Sequence, residues 1–225
     1  MRMRRKKNLD IRMERCSDIW LRPVEGEKTT DPFVTEAETL HLEIGCGKGG
    51  FIQTLAAQNP DIRYLAIERF FNVLVMAMEK AKAAELTNLK FMSNDANILA
   101  DVLPAGCISR IYLNFSDPWP GRRQAKRRLT APAMLELYKK LLAPGGEIFM
   151  KTDSEELFLY SAETLDAAGF CVKNVTFDLH ESPFNKGNIM TEYEKNFTNL
   201  GKRIMHLEAV TLKPRGVEPH RPYAD

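Results

Sequence analysis

From residue 39 onward the apolar positions form short runs separated by stretches of helical spacing. LHLEIG predicts a strand, followed by a glycine loop and a helix near residues 50–58. RYLAIE predicts a second strand. Phe71, Leu74, Val75 and Met78 then carry helical spacing across residues 70–86. LKFMSND predicts a third strand with a short helix after it. RIYLNF predicts a fourth, an apolar run expected where both sheet faces are covered. Thr130 is placed to cap a helix that runs to about Leu142 and stops at Pro-Gly-Gly. GEIFMKTD predicts a fifth strand, and Ser154 is placed to cap a helix ending near Gly169. VKNVTFDL and IMHLEAVTL predict two late strands with no helix between them, expected to form an antiparallel edge.

Repeated strand–helix units imply a doubly wound α/β fold, a mostly parallel sheet of seven strands with helices on both faces. The pattern divides the chain into an extension at 1–38, one α/β domain at 39–212 and a tail at 213–225. Ligands of such folds bind outside the carboxyl ends of the strands. Those ends carry Glu43, Glu68, Asp95, Asp117 and Asp153, so nearly every one is acidic.

Charge adds a second feature. Residues 1–15 hold seven basic side chains against Asp10 and Glu14, and Arg122, Arg123, Lys126, Arg127 and Arg128 follow one another with no acid between them. Each segment is locally +5 in a chain of net charge +2, which leaves −8 for the rest. A mildly acidic body with two basic clusters suits a phosphate-bearing partner. No run approaches the roughly 18 apolar residues of a membrane span. The basic N-terminus leads into no apolar segment of secretory type. The four cysteines, at 16, 46, 107 and 171, form no Cys-x-x-Cys pair, which fits a reducing, cytoplasmic setting and neither a zinc ribbon nor a disulfide framework. The four histidines have no ligand spacing, so no metal is expected.

The loop Gly45-Cys46-Gly47-Lys48-Gly49-Gly50 satisfies both G-x-G-x-x-G and G-x-G-x-G. The pattern alone does not choose between a nicotinamide and another nucleoside cofactor. Glu43 does: a carboxylate just before the glycines repels a pyrophosphate and suits a cofactor with a cationic amino-acid end, such as S-adenosyl-L-methionine. Glu68 stands where an acid bonds ribose hydroxyls, and Asp95 is placed for an adenine amine. Lys48 belongs to no Walker sequence, and Cys46 reads as a small residue tolerated in a tight turn.

At the fourth strand end, Asn114-Phe115-Ser116-Asp117-Pro118-Trp119-Pro120 sets a carboxylate in a stiff aromatic loop directly before the basic cluster. That order suits a polyanionic substrate carrying a base to be modified. LEIGCGKGGF, AIER, SNDA, YLNFSDPWP followed by KRRL, KTD, and GNIMTEYEKNF together resemble the bacterial tRNA (guanine-N7-)-methyltransferases over about residues 38–210. The resemblance implies a Rossmann-like class I methyltransferase fold, S-adenosyl-L-methionine as cofactor and methylation of a variable-loop guanosine in tRNA. It implies that Glu43, Gly45, Gly47, Glu68, Asp95 and Asp117 form the cofactor site, with Asp117 also catalytic. Asp153, Thr191, Glu192, Tyr193 and Glu194 are implied as substrate contacts, and MRMRRKK matches the family's basic arm. The family's lysine after DPWP is replaced here by Gly121. Three other readings remain at this point. Ser-Asp-Pro-Trp is loosely similar to the motif of exocyclic-amino methyltransferases, a nicotinamide oxidoreductase shares the glycine loop, and a catalytically silent RNA-binding protein shares the basic clusters.

Overall fold

The computed structural model describes residues 6–24 and 26–211. The basic stretch at 1–5, the tail at 213–225 and the last residue of the final expected strand lie outside them. Strands β1 (Trp20–Leu21), β2 (Leu40–Ile44), β3 (Arg63–Ile67), β4 (Leu89–Met92), β5 (Ile108–Asn114), β6 (Leu142–Thr152), β7 (Phe170–Thr176) and β8 (Met205–Thr211) form one sheet in the order β1-β4-β3-β2-β5-β6-β8-β7. Helices are α1 (Leu9–Glu14), α2 (Pro32–Thr35), α3 (Gly50–Gln58), α4 (Phe71–Ala83), α5 (Leu99–Val102), α6 (Pro132–Leu141), α7 (Glu155–Ala167) and α8 (Glu192–Thr198).

The period-2 alternation of the strands sorts side chains into two cores. Leu40, Leu42 and Ile44 of β2, Leu65 and Ile67 of β3, and Ile111 and Leu113 of β5 meet Leu135 and Tyr138 of α6 and Leu157 and Phe158 of α7. Tyr64 and Ala66 of β3 and Tyr112 of β5 face the other way, onto Phe51 and Ile52 of α3 and Leu74, Val75 and Met78 of α4. Leu42, Leu65 and Ile111 are each 0% exposed; burying a side chain of this size stabilises by about 1.5–3 kcal/mol. This is the doubly wound arrangement, and it leaves the carboxyl ends of β2 to β6 open on one edge.

Two expectations are corrected, the number of strands and the cap of α6, and one is met. The sheet has eight strands, because β1, from the segment read as an extension, pairs in parallel with β4. That segment also buries Leu9, Met13, Cys16, Leu21 and Val34, so its apolar residues belong to the two cores. As expected, the two late strands form an antiparallel edge: β8 pairs antiparallel to both β6 and β7, and β7 is the outermost strand. Thr130 does not cap α6. Ala131 holds the cap position with Pro132 at the first helical residue, where no N–H is needed, and the Thr130 hydroxyl bonds Ser161 instead. Ser154 does cap α7, accepting from the Leu157 N–H.

Candidate functional site

The glycine loop turns from β2 into α3 with Gly45, Gly47 and Gly49 at φ of 82°, 56° and 77°. The alternating positive values follow the G-x-G-x-G reading, and L side chains are strained in that region. At Gly49 a Cβ would also stand 2.9 Å from the Ala77 Cβ on α4, so α3 and α4 approach closely because no side chain intervenes. Gly49 offers no side-chain cap to the first turn of α3.

Glu43 lies beneath this loop, 2% exposed. Its Oε1 accepts a hydrogen bond from Asn114 Nδ2 at 2.9 Å, while Oε2 is buried without a partner among the described residues. Burial pushes the carboxyl up to about 7, against the opposing Asn114 hydrogen bond and the charge of Lys151. An orphaned, desolvated carboxylate oxygen is a receptor for a cationic group. The neighbouring Cys46 thiol is raised well above its ordinary value by burial, which agrees with a packing role.

A cleft of about 600 Å³ opens over the strand ends, within the range of small-molecule sites. Glu68, Asp95 and Asp117 line it together with Gly45, Asn114 and Phe115. Glu68 accepts from Gly47 N at 3.2 Å and from Phe70 N at 2.9 Å, which ties the second strand end to the glycine loop. Asp95 caps the turn that follows β4, accepting from Asn97 N at 3.1 Å, and pairs with Arg69 at 3.6 Å. Asp117 is exposed on the far wall. Phe115 and Trp119 flank it at φ of 51° and 42°, a conformation that costs a non-glycine residue about 1 kcal/mol or more. The loop is held there from outside. Arg128, 3% exposed, donates to Pro118 O at 2.9 Å, to Trp119 O at 3.2 Å and to Glu156 at 2.5 Å.

Arg128 therefore leaves the basic cluster with which it was read. Its guanidinium points inward and shapes the loop. Arg122, Arg123, Lys126 and Arg127 are exposed; Lys126 and Arg127 line the cleft, and the Arg127 guanidinium sits 3.5 Å from the Trp119 ring centroid.

The segment Thr191-Glu192-Tyr193-Glu194 closes over the same edge. Thr191 Oγ1 accepts from Glu194 N at 2.9 Å and Glu194 Oε2 from Thr191 N at 3.3 Å, a capping box that starts α8. Glu192 lies over Gly50 and pairs with Lys80 at 3.1 Å. Tyr193, 43% exposed, stacks on Phe197 with ring centroids 4.1 Å apart and meets Phe115 at 4.9 Å. Glu194 is 0% exposed and bonded to Lys151 and His180. Asp153 pairs with Lys202 at 3.1 Å.

The chain as a whole is similar to a known group of proteins. A family profile described as a putative methyltransferase covers residues 37–207. A tRNA (guanine-N(7)-)-methyltransferase of Bacillus subtilis strain 168 is 42% identical over 92% of this chain and 98% of its own. One from Halalkalibacterium halodurans is 48% identical over 76% of this chain and 77% of its own. The chain belongs to the tRNA (guanine-N(7)-)-methyltransferase family. Membership agrees with the fold. A 16S rRNA methyltransferase, KamB, superposes with a TM-score of 0.63 at 16% identity over 85% of this chain and all of its own. A methyltransferase from Aquifex aeolicus gives 0.55 at 13% identity over 92% of this chain and all of its own.

Within this family frame, sequence reasoning passed over four residues that the fold brings to the site. Asn114 holds Glu43, Phe115 meets Tyr193, and Lys151 and His180 hold Glu194. Asn114 and Phe115 lay inside the NFSDPWP stretch and Lys151 inside KTD, so three of the four stood in quoted motifs without a role, and His180 carried no signal. His41 is a core histidine, edge-on to Tyr64 and Tyr112, with burial pulling its imidazole down to about 4. Among the described residues no group of His, Cys, Asp or Glu is arranged to hold a metal, and no helix is long and apolar enough to cross a membrane.

Proposed function

We infer that this chain transfers the methyl group of S-adenosyl-L-methionine to N7 of a guanosine in tRNA, at a variable-loop position. The observation that carries the reading is the cleft itself. Acids from three strand ends line its walls, and Lys126 and Arg127 form its cationic rim.

The donor set fits the cofactor. Glu43, with one carboxylate oxygen unpartnered, would take the ammonium of the methionine end, and the uncapped N-terminus of α3 would favour its carboxylate. Glu68 and Asp95 would accept from the ribose hydroxyls and the adenine amine. When bound, S-adenosyl-L-methionine supplies an electrophilic methyl on a sulfonium. Guanine N7 has a lone pair and no proton, so the chain need supply no general base. Its tasks are alignment, on the order of 7–11 kcal/mol for well-oriented partners, and stabilisation of the positive charge that grows on the purine. Asp117, exposed and lining the cleft, would be the carboxylate that stabilises that charge. N7 lies in the deep groove of A-form RNA, which side chains do not reach, so the base must be presented from a loop. Tyr193 and Phe115 offer a face to stack it on, and Arg122, Arg123, Lys126 and Arg127 a surface for flanking phosphates.

The test is transfer of labelled methyl from S-adenosyl-L-methionine to unmodified tRNA, with the product cleaved by aniline after borohydride reduction. Cleavage at a variable-loop guanosine is the expected result. Transfer that persists on tRNA with carbon in place of guanine N7 would move the target to another atom. Asp117→Ala is expected to lower kcat by about 10²–10³, the loss seen when one transition-state charge partner is removed, while the Kd for tRNA stays within twofold. Unchanged turnover would remove Asp117 from the mechanism.

A further inference from the structure

We propose that Lys151 is a positioning residue which locks the Thr191–Glu194 turn over the cleft, and that Glu194 is its buried counter-charge rather than a contact to the target base. The proposal rests on the reading above, that this turn meets tRNA.

The Lys151 ammonium has three protons, and each has a partner. They go to Glu194 Oε2 at 2.7 Å, Asn188 Oδ1 at 3.0 Å and Ile189 O at 2.9 Å. Glu194 is equally saturated. It accepts from Lys151, from Thr191 N at 3.3 Å, from His180 Nε2 at 2.9 Å and from Asn188 Nδ2 at 2.8 Å. A carboxylate with four donors has no lone pair left to offer a base. Both groups are buried, Lys151 at 6% and Glu194 at 0% exposed. Burial lowers the Lys151 ammonium from its ordinary value against the pull of Glu194. Burial likewise opposes ionisation of Glu194, but Lys151 and the hydrogen bonds outweigh it and hold the carboxyl low.

The position of Lys151 gives this pair its reach. It sits opposite Asn114 on β5, the residue that holds Glu43, and its ammonium lies 5.1 Å from the Phe51 ring of α3. One ammonium thus joins β6, the cofactor-side helix and the loop at 188–189. From Glu194 the turn carries Tyr193 onto Phe115 and Glu192 onto Gly50. A buried ion pair is a poor source of stability, since apolar residues of similar volume usually serve as well. What it supplies is a fixed direction, and misplacing a substrate group by about 1 Å can cost about 10² in rate.

The experiment compares full-length Lys151→Met, Glu194→Gln and the double variant Lys151→Met/Glu194→Leu. Three quantities are read: melting temperature, affinity for S-adenosyl-L-methionine by calorimetry, and kcat and KM with tRNA at saturating cofactor. Acting as one unit, both singles and the double should lose about the same factor in kcat, between about 30- and 300-fold around that cost. The double should keep its cofactor affinity within about threefold and melt within a few degrees of the unaltered chain. Losses that multiply in the double would make Glu194 an independent base contact and overturn the proposal. So would wild-type kcat in the double, or a parallel collapse of cofactor affinity. Should the double not fold, Asn188→Ala carries the test. It removes only the loop's side-chain link, a fivefold or greater fall in kcat is expected, and unchanged kcat overturns the proposal. Methyl transfer by the unaltered chain is the control: its absence sinks the functional reading, whereas its presence beside fully active variants sinks only the positioning role.

Discussion

On the proposed reading, Glu43 is the side chain that couples the fold to its ligand. Its folded value, about 7, stands above the ordinary carboxyl value of 4.5. An acid raised on folding stabilises the folded state below its unfolded value, and that contribution is lost as pH rises through the folded value. Between pH 4.5 and 7 the Glu43 carboxylate therefore costs stability, on the order of 3 kcal/mol in full. A bound ammonium reverses the balance, because it favours the charged form. The affinity for S-adenosyl-L-methionine is accordingly expected to rise from pH 6 to pH 8. Glu43→Gln should bind more weakly and flatten that rise, while melting at a higher temperature than the unaltered chain at pH 8. Calorimetry at three pH values checks the first expectation and thermal unfolding the second. A pH-independent affinity in the unaltered chain would mean that Glu43 does not face the ammonium.

The acids at the strand ends were legible at this scale because strand ends can be read from periodicity. Glu68, Asp95 and Asp117 all reach one cleft as that reading expects. Saturation was not legible. Nothing in Thr-Glu-Tyr-Glu tells that Glu194 is closed off by four donors while Glu192 and Tyr193 remain exposed. Hydrogen-bond partners 14 and 43 residues away in the chain decide it.

At the scale of elements, the run at 122–128 divides into two kinds of arginine. Arg128 supports the loop at 115–119 from behind, whereas Arg122 and Arg123 face solvent. Arg128→Ala leaves two loop carbonyls without their donor, which costs about 1–3 kcal/mol. That corresponds to a fall of about 2–4 °C in Tm per kcal/mol for a chain of this size. Activity should fall with it, because the loop carries Asp117. Arg122→Ala and Arg123→Ala should leave Tm unchanged. Differential scanning calorimetry of the three variants separates the two roles; equal melting would return Arg128 to the surface. In the sequence, the five basic residues of 122–128 look equivalent. The difference arises because the segment ends against α6, and its last arginine is caught between the loop and Glu156. The same logic explains Thr130 and the T-x-x-E turn. Local patterns for caps are short and common, so Ser154 obeyed one, Thr130 was drawn to a neighbouring hydroxyl, and the TEYE motif carries a capping box within a candidate substrate segment.

For the molecule as a whole, the charge layout predicts how binding responds to salt. Each phosphate neutralised on RNA contributes about 0.7–0.9 to the slope of log affinity against log salt. Replacing Arg122, Arg123, Lys126 and Arg127 together with Ala is expected to reduce that slope by about 2–4 and to weaken tRNA binding. Filter binding across a salt series measures it. An unaltered slope would assign the electrostatic contact to another part of the chain.

The sequence by itself determined the alternation of strands and helices, the glycine turn and the acidic strand ends, and its motifs carried the resemblance to the family. The first three depend on residues close together in the chain, where periodicity and spacing translate directly into geometry. Tertiary structure alone decided the eighth strand, the insertion of β8 between β6 and β7, the inward turn of Arg128 and the Lys151–Glu194 lock. A two-residue strand carries too little pattern to be seen, and strand order depends on pairing over long loops. Whether a charged side chain faces water or a buried partner depends on neighbours that only the folded chain brings within hydrogen-bonding reach.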